Sequence, residues 1–208
     1  MKNSKSWFLL ASIATTFVLT TASGSFLTLS ESAEIVPEGN YRLGIAPQLR
    51  MSNGGGFNAG FYVDGFLHDA MNWRAMIGGG NTDFFAQGSI KWIPFPDYDK
   101  QPAMGGRATL FYARDAEMDF TGLQLAPMLS KNLRTEWGTM TPYVGLPISF
   151  ISGKNSTVTA LQLALGSEMD LEKERQVGAE FNLNLNDAVT SLTVYFSFSF
   201  DDSKGYKK

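Results

Sequence analysis

The 208-residue sequence contains no cysteine and only one histidine, His68. Without thiols there is no disulfide framework, no thiolate zinc site and no cysteine nucleophile. A single imidazole excludes multi-histidine metal centres. Charge is also scarce: Asp, Glu, Lys and Arg make up 18% of the chain, against about 25% in an ordinary soluble domain. The formal net charge of −3 offers no basic excess of the kind that nucleic acid attracts. Long apolar runs are missing as well. The longest, Trp7 to Leu19, is 13 residues, where a spanning helix needs about 20. Any membrane insertion must therefore use strands.

That short apolar run has the layout of an export signal. Lys2 and Lys5 precede it, and Thr20-Thr21-Ala22 and Ala22-Ser23-Gly24 follow it with small residues suited to cleavage. Residues 1–24 are read as a signal peptide, and their removal takes the formal charge from −3 to −5.

From Gly39 onward the chain alternates with a period of two, the signature of half-buried strands. In the first segment Tyr41, Leu43, Ile45, Pro47 and Leu49 oppose Arg42, Gly44, Ala46, Gln48 and Arg50. Near the end, Val177, Ala179, Phe181, Leu183 and Leu185 oppose Gly178, Glu180, Asn182 and Asn184, and Leu192, Val194, Phe196, Phe198 and Phe200 oppose Thr193, Tyr195, Ser197 and Ser199. Turn-rich clusters such as Ser52-Asn53-Gly54 and Gly78-Gly79-Gly80-Asn81 separate the segments. Strands are expected over 40–51, 56–68, 71–79, 83–93, 103–114, 118–130, 140–151, 157–169, 176–186 and 190–200. The fold class is all-β: a closed antiparallel transmembrane barrel of about ten strands, eight being the alternative count, over 39–200. A charged tail follows at 201–208.

The two faces differ in a telling way. The polar face is small, with Gly44, Ala46, Gly60, Gly78, Gly122, Ala126, Gly145, Ser149, Ala164, Gly178 and Ser197. Such residues suit a crowded lumen, and Leu, Ile, Val and Phe on the other face suit lipid. Aromatics fall at two levels: Tyr41, Trp73, Trp92, Trp137 and Phe200 near one end, Phe57, Phe84, Tyr112 and Phe150 near the other. With its signal segment and its aromatic Leu192–Phe200 terminal strand, the chain resembles the small bacterial outer-membrane β-barrel proteins, the OmpA-like and OmpX-like class. That resemblance implies residence in the outer membrane of a Gram-negative bacterium, contact with its lipids and lipopolysaccharide, and insertion by the barrel-assembly machinery. It implies no nucleic-acid partner.

Catalytic patterns are sparse. G-x-S-x-G and H-E-x-x-H are absent. His68, flanked by Asp64 and Asp69, falls at the first periplasmic turn and reads as a solvated turn residue. Asp97-Tyr98-Asp99 lacks the glycine and distal glutamate of a calcium loop. Glu172-Lys173-Glu174-Arg175 reads as a solvated turn, and Asn155-Ser156-Thr157 as an incidental sequon. No enzyme, cofactor or metal site is expected. The most informative set is the charges on the lumen face: Arg42, Asp64, Arg74, Lys91, Arg107, Glu168 and Glu180 at one level, with Arg50 nearer the other end. Placing Gly56 across from Arg50 puts Arg42 opposite Asp64, with Arg74 diagonal to it. Buried charges of both signs are expected to pair, giving a structural envelope protein or a narrow, poorly conducting, porin-like pore. Two alternatives are a barrel enzyme acting on lipid A or peptides and a soluble periplasmic lipocalin-like binder. A charge placed at Leu183, on the lipid face, is expected to do more harm than one at Asn182, on the lumen face.

Overall fold

The computed structural model describes residues 27–52, 54–116, 118–154, 157–172 and 174–201. The signal segment and the tail beyond Asp201 lie outside the described residues, as do Asn155 and Ser156 of the sequon and Lys173 of the charge run.

The strands are β1 (Asn40–Arg50), β2 (Gly56–His68), β3 (Met71–Gly80), β4 (Phe84–Phe95), β5 (Ala103–Asp115), β6 (Met118–Ser130), β7 (Leu133–Thr135), β8 (Gly138–Gly145), β9 (Ile148–Gly153), β10 (Thr157–Glu172), β11 (Arg175–Asn186) and β12 (Ser191–Asp201). Every pairing is antiparallel, and β12 returns to β1 with Tyr41 opposite Phe200, so the sheet closes. β7 is a short rim hairpin on β8. β8 and β9 form one stave, interrupted at Leu146-Pro147 because proline gives the ladder no N–H. Pairing with β6 resumes in the same register on both sides, Met128 with Gly145 and Leu125 with Ile148. The barrel therefore has ten staves, and they coincide with the ten alternating segments of the sequence.

Parity holds around the wall. Phe61 is 64% exposed and Leu110 67% on the outside, whereas Tyr195 on the inside is fully buried. A continuous apolar exterior on a closed barrel is a surface for hydrocarbon. The small inward residues have a definite purpose: lumen aromatics lie flat over a neighbouring stave's glycine. A Cβ at Gly178 would stand 2.1 Å from the Tyr195 ring, one at Gly166 2.2 Å from Tyr143, and one at Gly44 2.2 Å from Tyr62.

Two expectations need correction. Arg74 lies directly across from Asp64, because a bulge between Phe66 and His68 shifts the β2–β3 register by one residue. Asn182, moreover, is fully buried and donates to Glu180 Oε1 at 2.7 Å. An arginine at Asn182 would therefore enter a filled space and displace that bond, so it is expected to be costly as well.

Candidate functional site in the barrel lumen

The lumen is occupied by the chain itself. Residues 27–36, which precede β1 and carry no strand, run along the barrel interior as an extended strap. Leu27 packs with Phe111, Ile151, Ala160 and Ala188 toward one rim. Ala33 packs with Ile93, Ala103 and Met128 toward the other. The strap then leaves the lumen, turns at Gly39 (φ +73°) and enters β1, which runs back the other way. Ten residues of extended chain reach up to about 33 Å, comparable with the roughly 30 Å hydrocarbon thickness.

Opposite walls hold opposite sides of the strap. On the β10–β11 wall, Glu180 accepts from Leu29 N at 2.9 Å and Ser30 N at 2.8 Å, and Glu168 accepts from Ser32 N at 3.0 Å. Ser30 sits at φ +49°, a left-handed kink of the kind that aims successive N–H groups at one anion. Tyr143 donates to Glu180 Oε2 at 2.7 Å and Tyr195 to Glu168 Oε1 at 3.2 Å. On the β3–β5 wall the donors are cationic. Arg74 reaches the carbonyls of Leu29 and Ser30 at 3.0 and 3.1 Å. Arg107 reaches those of Leu29 and Thr28 at 2.7 and 2.8 Å, and Lys91 that of Ser32 at 2.9 Å.

The single side chain at the centre of this grip is Glu31. Its carboxylate lies 2.9 Å from Lys91 Nζ, 2.9 Å from Arg107 Nη1 and 3.7 Å from Arg74 Nη2, with all four side chains buried. Asp64 forms a two-pronged pair with Arg74, Nη2 to Oδ2 at 2.8 Å, and Arg74 also lies 4.2 Å over the Tyr62 ring. Such desolvated pairs hold together only because nearly every lone pair and proton is matched.

Of the lumen charges expected from sequence, Arg74, Lys91, Arg107, Glu168 and Glu180 converge on the strap directly and Asp64 through Arg74. Arg42 faces Asp64 across β1–β2 as expected, but Asp64 spends its carboxylate on Arg74. Arg42 instead lines an open vestibule of about 830 Å³ at the mouth where β1 begins, beside Glu34, Asp170 and Arg175. Its Nε is buried with no hydrogen-bond partner among the described residues. Arg50 sits near the other rim, between Gly56 and Ser191. Beside Leu27, Met76 and Phe85, the remaining space is about 10 Å³, room for one water at most. Glu31, Glu34 and the strap's backbone were not anticipated. The wall cluster's four bases and three acids gave no pointer to them, because the extra base, Arg42, stands in the vestibule and Glu31 pairs with the other three.

His68 is exposed at the end of β2. Asp64 points inward, so the two do not form a pair. Among the described residues no group of three or more His, Asp or Glu side chains is arranged to hold a metal.

No family model and no curated protein matches this sequence. Solved structures do match. The β-domain of the Bordetella autotransporter BrkA superposes with a TM-score of 0.53 at 11% identity, covering 78% of this chain and 99% of that one. The translocator domain of the autotransporter NalP from Neisseria meningitidis gives 0.49 at 12%, over 80% and 90%. De novo designed transmembrane β-barrels give 0.42 at 7%, over 80% and 99%. At such identities the likeness concerns fold alone, and the chain has the transmembrane β-barrel fold.

Proposed function

We propose that this chain is a non-enzymatic outer-membrane barrel of a Gram-negative cell envelope, closed at rest by its own strap. The carrying observation is Glu31, a strap carboxylate held by Arg74, Lys91 and Arg107 in the middle of the lumen. A water-filled pore would leave these charges solvated, whereas here protein atoms fill the space between the walls. The apolar exterior and the two aromatic levels support residence among outer-membrane lipids and lipopolysaccharide, with delivery by the barrel-assembly machinery. The enzyme reading draws little support, since Asp64 is committed to Arg74 and is turned away from His68. The lipocalin-like reading is opposed by the outward Leu and Phe belt.

Two measurements test the proposal together. The mature protein should fractionate with outer membranes and show heat-modifiable gel mobility. Reconstituted in planar bilayers, it should be nearly silent. Release in the soluble periplasmic fraction, or a wild-type current like that of an open porin, refutes it.

A further inference from the structure

We infer that Glu31 occupies a built anion site: the lumen carries a receptor for a small carboxylate or phosphate, which the strap fills with its own side chain. The inference rests on the closed-barrel proposal and goes beyond it by naming the chemistry that the strap displaces.

The site is made by adjacent staves. Arg74 on β3, Lys91 on β4 and Arg107 on β5 point inward at one level, and all three are buried. Their donors converge on one carboxylate, with Lys91 on Oε2 and Arg107 on Oε1. Asp64 offsets one of the three positive charges, so two remain on the triad, and the Glu31 carboxylate offsets one of those. The acids that would compete, Glu168 and Glu180, stand on the opposite wall and are saturated by the strap's N–H groups and by Tyr143, Tyr195 and Asn182. The lumen is thus polarised across its width, with Arg74, Lys91 and Arg107 on one side and Glu168 and Glu180 on the other. A buried cationic triad with no anion is costly, and the strap supplies one from within the chain. The vestibule at the β1 mouth reaches the strap at Ala33 and Glu34, and Lys91 donates to the Glu34 carbonyl.

The test is Glu31→Ala in the full chain, which removes the carboxylate and vacates the space it fills. Wild type should be silent. The variant should conduct, with its reversal potential displaced toward that of chloride, and inorganic phosphate should reduce the current several-fold. Phosphate should also raise the variant's thermal midpoint while leaving wild type unchanged. Adding Arg107→Gln to Glu31→Ala should abolish both phosphate effects. Silent wild type with a variant that conducts cations, or that ignores phosphate in both assays, overturns the anion site while sparing the closed barrel. A conducting wild type overturns the closed barrel itself. Where Glu31→Ala does not fold, refolding with phosphate decides: rescue supports the site, and failure of phosphate where Glu31→Asp folds unaided overturns it.

Discussion

Replacing Glu180 by glutamine isolates the opposite wall's grip on the strap. The carboxylate accepts four bonds, from Leu29 N and Asn182 Nδ2 on Oε1 and from Ser30 N and Tyr143 on Oε2. An amide has one oxygen to offer. It is expected to turn its NH₂ toward Ser30 and Tyr143, because the tyrosine hydroxyl can reverse and accept. The Ser30 N–H is then orphaned inside the barrel, at about 1–3 kcal/mol, and the two remaining charged bonds become neutral, each weaker by roughly 1 kcal/mol. The total is about 3–5 kcal/mol, in the range measured when one partner of a buried ionic network is removed. That corresponds to a shift of at least ~10²-fold in the folding equilibrium. Guanidinium unfolding in phospholipid vesicles, followed by tryptophan fluorescence, should register the loss. Limited proteolysis should cut between Leu27 and Ala33 in the variant and not in wild type. Asp119→Asn serves as the control, since its pair with Arg114 is exposed on both sides and should leave stability unchanged. A Glu180→Gln barrel with wild-type midpoint and an uncut strap would show that this wall does not hold the strap.

Gly178→Ala should destabilise the barrel by about 1–3 kcal/mol through overpacking, since its Cβ meets the Tyr195 ring at 2.1 Å; an unchanged thermal midpoint refutes the aromatic-over-glycine packing. Phe61→Arg, mid-stave and facing outward, should cost about 2–4 kcal/mol in a lipid-folding assay, and a neutral result there denies that this face meets hydrocarbon. At the mouth, burial raises the Asp97 carboxyl, but the Asn132 N–H and Lys131 outweigh it and hold it below the ordinary carboxylate range. Its stabilising effect should therefore be fully present above about pH 3.9 and fade as pH falls through the lowered value; an NMR titration midpoint at or above 3.9 refutes this. For orientation, the even number of staves puts the 96–102 connection on the same side as the barrel's ends, and that side is expected to be periplasmic. In this cysteine-free chain, a cysteine at Gly153 should be labelled on intact cells and one at Asp99 protected; the reverse pattern inverts the topology.

Period-two alternation is a local property, so the staves, the faces and the aromatic levels were legible directly. In Val177–Asn186 or Leu192–Phe200, each residue's side follows from its neighbour's, and a one-residue slip would turn every leucine inward. A tight turn also fixes register, which is why Arg42 could be placed against Asp64 from the Arg50–Gly56 pairing alone. The β2–β3 bulge escaped notice because one extra residue near Leu67 leaves no mark in composition, and it decided that Arg74 lies squarely against Asp64. Both arginines neighbour Asp64 in the sheet, and only the approach of the guanidinium fork selected Arg74. The strap was least legible. Residues 27–36 have no stave of their own, and their partners lie as far as 151 positions away. Sequence recorded buried charges of both signs on the lumen face, which must find partners in a desolvated space. Only the closed tertiary structure identified Glu31 as the partner of Arg74, Lys91 and Arg107, since cross-lumen contacts exist only once β12 has met β1 around the strap.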